Sequence, residues 1–207
     1  MSLLSVRMPG KKNEGRKTVE VLEAITTRRS IRRYKTTPVD DKTVEIVLEA
    51  ARWAPSWKNS QCRRFIVVRD DGIKNQLADA LHGLAKDVTN PADGAIRMAP
   101  VVIVACAELG KSGYDNEGKL ATDKGDSWYM FDVALAMQNL TLAAHSLGLG
   151  TVHVGNFDAK KVASILEVPQ GFCVVSMTPL GYLDQEPNPR PRKELSEIAF
   201  FGKYGSG

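Results

Sequence analysis

An almost uninterrupted apolar run in the middle of the chain constrains the fold more than any other feature. Residues 101–106, with the sequence VVIVAC, directly follow Pro100. Because such a run offers no polar face to water, it predicts a central strand that is buried on both faces of its sheet. Helices must then cover the sheet on both sides, and a chain of 207 residues is long enough for one such core.

Residues 128–147 predict a helix with few polar groups. Asp132 is its only formally charged residue, and apolar side chains occur all round the helical wheel. Such a helix is buried on nearly every side, and a membrane span is the competing interpretation for this length. Polar side chains argue against a span because they are unfavourable in hydrocarbon. These are Asp132, Gln138, Asn139, Thr141, His145 and Ser146. We therefore expect a core helix that also forms a subunit interface, where small residues such as Ala134 allow close approach.

Caps, periodicity and prolines predict the other elements. Helices are expected from Thr18 to the basic residues at 28, from Asp40 or Asp41 to before Pro55, over 72–84, and over 159–167 behind Asp158. Strands are expected over 65–68, 151–154 and 173–177, with Leu180-Gly181-Tyr182 ending the last. Residues 85–97 are expected to be an irregular connection with no legible function. Residues 108–126 are polar, and either a lid over a site or a plain surface loop fits them.

Four arginines and a serine lie within the seven residues 28–34. Arginine presents a planar fork of donors that suits phosphate, and a nearby hydroxyl adds a short donor, so this cluster predicts a phosphate monoester site. A second basic segment follows at 187–193, where three prolines keep the chain extended. A solvated basic patch is the alternative, since short basic runs also serve as nucleic-acid or targeting patches. A net charge of +4 is small for a nucleic-acid-binding domain.

The cysteines and the N-terminal segment indicate the compartment and the domain limits. Cys62, Cys106 and Cys173 lack metal-ligand spacing, so neither a disulfide framework nor a metal site is expected. Cys106 and Cys173 lie in apolar runs, whereas Cys62 lies in a polar loop where a reactive thiol is the alternative. Free thiols suit a reducing cytoplasm. Residues 1–17 lack the apolar region of a signal peptide and are expected to be a flexible arm ahead of a single domain at 18–207, which ends in an extended C-terminal arm.

Five motifs occur in the order that is typical of one family. They are Arg-Arg-Ser-x-Arg at 28–32, Pro-Ser-x-x-Asn-Ser-Gln at 55–61, Ala-Pro-Val-Val-Ile-Val at 99–104, Gly-Leu-Gly-Thr at 148–151, and Leu-Gly-Tyr with Pro-Arg-Pro-Arg-Lys at 180–193. With these motifs the chain resembles the nitroreductase family of FMN-dependent oxidoreductases over residues 20–200. No G-x-G-x-x-G opens a helix after a strand, which agrees with a flavin mononucleotide enzyme. The resemblance implies an α+β fold with a central, mixed and mainly antiparallel β-sheet wrapped by helices, in an intertwined homodimer.

The resemblance also implies which residues bind FMN. It places the phosphate and ribityl chain on Arg28, Arg29, Ser30 and Arg32, joined by Arg190 and Arg192 of the C-terminal arm. It places Pro55, Ser56, Trp57 and Asn59 against the flavin from the partner subunit. It places His153, Val154, Gly155 and Asn156 against the isoalloxazine ring. No residue is assigned as a catalytic acid or base, because a lone strand histidine such as His153 is more often structural.

The expected function is that of a flavoprotein enzyme, an FMN-dependent NAD(P)H oxidoreductase. It would pass electrons from NADH or NADPH to a small, flat acceptor, such as a nitroaromatic or a quinone, by a ping-pong mechanism. Neither nucleic acid nor a membrane is an expected partner. A non-catalytic flavin, nucleotide or nucleic-acid binding protein that uses its arginine arms is the alternative from another class. The family commonly has Pro-Trp where this chain has Cys62-Arg63, so the groove beside the flavin is expected to differ in shape and charge.

Overall fold

The computed structural model describes residues 20–82 and 90–205. Thr18, the arm predicted at 1–17 and the end of the helix predicted at 72–84 lie outside these residues. In chain order the elements are α1 Val21–Thr27, α2 Asp41–Arg52, β1 Arg63–Val68, α3 Asp71–Ala78, α4 Asp93–Met98, β2 Val101–Glu108, α5 Trp128–Ser146, β3 Leu149–Thr151, α6 Ala159–Ile165 and β4 Phe172–Tyr182. Short 3-10 turns lie at Trp57–Asn59, Gly125–Ser127 and Leu195–Glu197.

The strands form a four-stranded antiparallel sheet in the order β1-β2-β4-β3. β2 is central, as predicted, and its residues 101–105 are 0% exposed. Ser30 adds a parallel bridge to Thr151 at the β3 edge of the sheet. The predicted α+β architecture, with a mixed and mainly antiparallel sheet covered by helices, is therefore confirmed.

Alternate residues of β2 face two different helical layers. Val101, Ile103 and Ala105 belong to a core formed with α2 and α5. Val102 and Val104 belong to a second core formed with α3, α4 and α6. Successive side chains of a strand point to opposite faces, so one apolar run supplies both cores. This is the physical reason why the run contains no polar position.

Within one chain, α5 is buried on one side only. That side packs against β2 and α2, whereas Met130 and Phe131 on the opposite side are 48% and 57% exposed. Ala134 and Gln138 are exposed too, and their spacing of three to four residues puts all four side chains on one face, which we call the outer face of α5. The outer face remains the predicted subunit interface. No helix among the described residues is long and apolar enough to cross a membrane.

Several element boundaries differ from the sequence-based prediction. β4 is continuous over Phe172–Tyr182, because its C-terminal half pairs with both β2 and β3. β3 covers Leu149–Thr151, and Val154 adds only an isolated bridge to Met177. The connection predicted to be irregular at 85–97 contains α4 at Asp93–Met98, which is too short to show helical periodicity. The helices predicted over 72–84 and 159–167 end earlier, at Ala78 and Ile165.

Two of the three predicted N-caps are confirmed, whereas α1 has Glu20 and not Thr18 at its N-cap. Asp40 caps α2 and accepts a hydrogen bond from the Thr43 amide. Asp158 caps α6 in the same way through the Lys161 amide. Gly148 follows α5 with a φ of +77°, a conformation that glycine adopts without strain. These features depend on a few neighbouring residues, which is why sequence alone identified them.

Candidate functional site

The arginine cluster is held against the edge of the sheet. α1 ends at Thr27, and the Ile31 amide then donates to the Thr151 carbonyl of β3 at 2.9 Å. A Cβ atom on Gly150 would lie 2.7 Å from the Ile31 side chain, so only glycine permits this approach. The close contact positions Arg28, Arg29 and Ser30, which lie between these two points, beside β3.

A cavity of about 190 Å³ lies at this edge, and Arg28, Arg29 and Thr151 contribute to its lining. Arg29 donates to the carbonyl oxygens of Thr26 and Arg28 at 2.8 and 2.9 Å. Among the described residues, no carboxylate lies within the 4.0 Å ion-pair distance of Arg28, Arg29 or Arg32. Glu186 lines the cavity beside Arg28 and Arg29 without forming an ion pair with them, so both guanidinium groups remain available to an anion that enters the cavity.

His145 lines the same cavity and was missed by the sequence analysis as a site residue. Its Nε2 lies 2.8 Å from the Thr27 hydroxyl. Desolvation, followed by the positive charges of Arg28 and Arg29, lowers the pKa of His145 below its usual value. An uncharged imidazole at neutral pH follows from this environment. The residue stands 116 or more positions from the arginines in the chain, so no local pattern connects them.

A second cavity, of about 230 Å³, brings Arg32 together with residues 152–156. Residues 90–92 also line it, so part of the connection with no legible function belongs to the candidate site. Asn90 stabilises this region by donating to the carbonyl oxygen of Asn156 at 3.3 Å. A Cβ atom on Gly155 would meet nothing within 4 Å among the described residues, so the backbone there is open to a ligand.

His153 lies between this cavity and a third one of about 360 Å³ that the outer face of α5 lines. Its Nε2 is 3.2 Å from the hydroxyl of Thr141, a buried residue of α5. Desolvation, followed by the charge of Arg28, lowers the pKa of His153, although part of the side chain faces solvent. A hydrogen-bonded and uncharged histidine agrees with the structural role that the sequence favoured.

The polar loop at 55–61 is anchored to α5 by Asp132. The Trp57 amide donates to both carboxylate oxygens of Asp132, at 3.1 and 3.0 Å. The Trp57 indole donates to the Tyr114 carbonyl at 2.9 Å and makes an edge contact with the Trp128 ring at 5.2 Å. Asp132 is 1% exposed and was missed as a functional residue. A lone charge on an otherwise uncharged helix was the signal that could have found it.

The loop and the arginine cluster lie near opposite ends of α5. Asp132 anchors the loop, and His145 lies beside the arginines, about 20 Å farther along the helix at roughly 1.5 Å per residue. Ser30 lines neither cavity and bridges to Thr151 at the edge of the sheet, and Arg29 lines only the first cavity. The single chain thus brings Arg32 together with His153, Val154, Gly155 and Asn156, and it brings Arg28 close enough for its charge to act on His153. It does not bring Pro55, Ser56, Trp57 and Asn59 to them.

The chain departs from the family pattern at Cys62 and Arg63, and both side chains are buried. Burial, followed by the charge of Asp132, raises the pKa of the Cys62 thiol, so the reactive-thiol alternative is wrong. Arg63 donates to the carbonyl oxygens of Arg52, Ala54 and Pro55 at the end of α2. The charge of Arg63 therefore stabilises the C-terminal end of α2. The expected change of charge beside the loop is carried by Arg64, which is exposed and pairs with Glu108 at 3.0 Å.

The C-terminal arm begins at the arginine cavity but does not return to it. Glu186 and Pro187 line the cavity. Arg190 and Arg192 are exposed, and Arg192 donates only to the carbonyl oxygens of Arg190 and Pro191 in the described part of the chain. Neither residue lines the arginine cavity of its own chain, and their contact with the phosphate stays a prediction.

Comparison with known proteins assigns the chain to a family. The family model described as Nitroreductase family matches residues 25–182, which is more than half of the chain. The chain belongs to the nitroreductase family. The family and fold predicted from the motifs are confirmed, and with them the oxidoreductase class.

Relatives of this nitroreductase-family chain cover most of its length. It is 30% identical over 210 residues to an NADH dehydrogenase of Thermus thermophilus, covering 89% of this chain and 98% of the relative. It is 28% identical to an FMN reductase [NAD(P)H] of Bacillus subtilis, covering 84% and 70%. A nitroreductase family protein of Clostridium novyi has a similar crystal structure, with a TM-score of 0.68 at 31% identity and coverage of 91% and 96%.

Proposed function

We propose that this nitroreductase-family chain is an FMN-dependent NAD(P)H oxidoreductase that reduces a small, flat acceptor, such as a nitroaromatic or a quinone. The observation that carries the proposal is the group of guanidinium side chains of Arg28, Arg29 and Arg32. Arg28 and Arg29 line one cavity and Arg32 lines another, and no carboxylate among the described residues forms an ion pair with any of the three. The names of the relatives, NADH dehydrogenase and FMN reductase, support the donor and the flavin.

The residues of the site fit FMN at both of its ends. Arg28 and Arg29, with the nearby Ser30, offer charge and hydrogen-bond donors to a phosphate monoester. Residues 153–156 offer an open backbone to a flat ring, because Gly155 leaves its side of the cavity empty. FMN, when bound, accepts a hydride from NAD(P)H and passes electrons to the acceptor. The protein's task is to hold and align the reactants, since alignment accounts for a large part of such a barrier.

We infer that the working unit is a homodimer in which each site uses both chains. Several large apolar side chains are exposed in one chain, among them Val21, Leu22, Phe131, Leu195, Phe201 and Tyr204. On the outer face of α5, the exposed apolar side chains of Met130, Phe131 and Ala134 lie next to one another, and contiguous apolar surface marks a contact with another protein surface. A two-fold axis across the outer face of α5 would bring the N-terminal end of one α5 to the C-terminal end of the other. The loop at 55–61 of one chain would then reach the arginine cluster of its partner.

A visible absorption spectrum followed by anaerobic reduction tests the proposed function. We expect the protein reconstituted with FMN to show a flavin spectrum that NADH or NADPH bleaches and that a quinone or nitroaromatic restores. Two-step exchange through one site predicts parallel lines in double-reciprocal plots when donor and acceptor are varied. A colourless protein after reconstitution would contradict the proposal. Salt-dependent binding of nucleic acid by such a protein would favour the non-catalytic alternative.

Replacing His153 is expected to have a small effect on turnover. His153→Ala should keep the turnover number within about tenfold of wild type, because full general acid catalysis would contribute roughly a hundredfold or more. Thr141→Val is the matched control, since it removes the hydrogen bond to Nε2 and keeps the imidazole. Stopped-flow measurement of each half-reaction provides the test. If His153→Ala retains FMN but loses more than about a thousandfold in the acceptor half-reaction alone, the histidine is a proton donor.

A further inference from the structure

Asp132 is a buried carboxylate on which several segments converge. It is 1% exposed, and it accepts from the Trp57 amide through both oxygens. The Ser112 and Ser60 hydroxyls donate to Oδ2 at 2.6 and 3.3 Å, and the Cys62 thiol lies 3.8 Å from the same atom. All of these donors are neutral and lie outside α5. The carboxylate therefore joins α5 to the loop at 55–61 and to the segment that contains Ser112.

The loop that Asp132 holds has a strained backbone. Lys58, Asn59 and Gln61 have φ values of +43°, +55° and +48°, in the left-handed region that residues with a Cβ atom rarely occupy. Such conformations persist only where surrounding contacts hold them, and they occur preferentially at functional sites. Within the loop, the Gln61 amide donates to the Ser56 hydroxyl at 3.0 Å. Asp132 binds the loop from outside at Trp57 and Ser60, and these two residues flank the strained residues Lys58 and Asn59.

Asp132 also connects the loop to the polar segment at 108–126, whose role the sequence left open. Ser112 contacts the carboxylate directly, and the Tyr114 carbonyl accepts from the Trp57 indole at 2.9 Å. The Trp57 ring is further held by the edge of Trp128. The Trp57 amide is thus bound to Asp132 itself. The Trp57 indole is bound to Tyr114, two residues from the Ser112 that donates to Asp132. Loss of the carboxylate would release the amide and leave the indole on a segment that had lost its own anchor.

We propose that Asp132 is a positioning residue of the flavin site, which fixes the strained loop so that Trp57 and Asn59 face the flavin and its acceptor in one orientation. The proposal rests on the function proposed above, which places this loop at the flavin of the partner subunit. Asp132 is buried, so it acts through the loop and not by contact with a ligand. It should therefore affect alignment at the ring, whereas the grip on the phosphate depends on Arg28 and Arg29, to which Asp132 makes no hydrogen bond in the described part of the chain.

The test compares Asp132→Ala and Asp132→Asn with Val47→Ala in the FMN-loaded protein. Val47 is 0% exposed in the α2–α5 core, so its truncation lowers stability without touching the loop. We expect Asp132→Ala to lower kcat/KM for hydride transfer about a hundredfold, the effect of misplacement by about 1 Å. Asp132→Asn keeps one acceptor for the Trp57 amide. We expect its kcat/KM for hydride transfer to fall about tenfold, because a neutral hydrogen bond replaces a charged one. The FMN dissociation constant should stay within about threefold in all three variants.

Hydrogen exchange of the peptide spanning residues 55–62 gives a readout that does not depend on activity. We expect faster exchange there in both Asp132 variants and wild-type exchange in Val47→Ala. Unchanged exchange and kinetics in the Asp132 variants, or an equal kinetic loss in Val47→Ala, would overturn the proposal. Should Asp132→Ala fail to fold, the same two criteria apply to Asp132→Asn alone. If the wild-type protein takes up no FMN, the function proposed above fails, whereas exchange in the loop still decides whether Asp132 anchors it.

Discussion

Arg28→Ala is expected to weaken FMN binding roughly tenfold to a hundredfold, because a hydrogen bond to a charged group contributes about 1.5 to 3 kcal/mol. Arg28 lines the cavity at β3 and has no carboxylate partner among the described residues. Its removal should therefore leave the ion pairs of the described residues intact and weaken the hold on the ligand. Quenching of flavin fluorescence during titration with FMN measures the dissociation constant.

Arg33→Ala is the matched control for this experiment. It removes the same charge only five positions away, but Arg33 is exposed and does not contribute to the two arginine-lined cavities. An effect of overall charge would weaken binding equally in both variants. Arg190→Ala tests the C-terminal arm in the same assay, with an expected loss of about tenfold. Wild-type affinity in both Arg28→Ala and Arg190→Ala would contradict the phosphate assignment.

Ala134→Arg is expected to convert the proposed homodimer into a monomer that loses its flavin. Ala134 lies on the outer face of α5, and a two-fold axis there would bury the new charge twice, once from each chain. An unpaired buried charge is unfavourable by about 3 to 5 kcal/mol, so the dimer dissociation constant should rise at least about ten-thousandfold. Light scattering at low micromolar concentration should then give the chain mass of 22.7 kDa in place of twice that value.

Ala159→Arg provides the comparison for the interface experiment. Ala159 is an exposed residue at the start of α6, which packs on the other face of the sheet. This variant should remain a dimer with FMN bound. A wild-type mass of 22.7 kDa, or a fully flavin-loaded dimer of Ala134→Arg, would contradict both the interface and the shared site.

Local patterns in the chain predicted the elements that position the site. The cap of α2 was narrowed to Asp40 or Asp41, and Asp158 was identified as the cap of α6, because a cap depends on hydrogen bonds within three residues. β2 was identified because burial on both faces requires an unbroken apolar run. The same reasoning failed for α4, which is only six residues long, and for the length of β4, which depends on pairing with two other strands. The bounds of an element that is stabilised by residues far away in the chain cannot be read from its own residues alone.

The cysteine and arginine that replace the common Pro-Trp show how tertiary contacts change an interpretation. By sequence, Cys62 stands in a polar loop and Arg63 adds charge to it. In the structure, Cys62 is 0% exposed, and Arg63 donates to three carbonyl oxygens at the end of α2. Both side chains are therefore buried beneath the loop, and Arg63 stabilises the end of α2. The exposure of a side chain and the hydrogen-bond partners it finds depend on how the chain packs, and residue type alone did not predict them.

The sequence by itself determined the family and the central strand with helices on both faces of its sheet, and it predicted an anion site at the arginine cluster. These conclusions rest on periodicity, capping and the chemistry of neighbouring residues, which act over short stretches of chain. Only the tertiary structure decided that His145 joins the arginines, that Asn90 lines a cavity with residues 152–156, and that Asp132 anchors a strained loop. Each of these contacts joins groups more than 60 positions apart, such as Trp57 and Asp132. Such contacts form only when the helices pack on the sheet, because no local pattern encodes which distant side chain will meet a given donor.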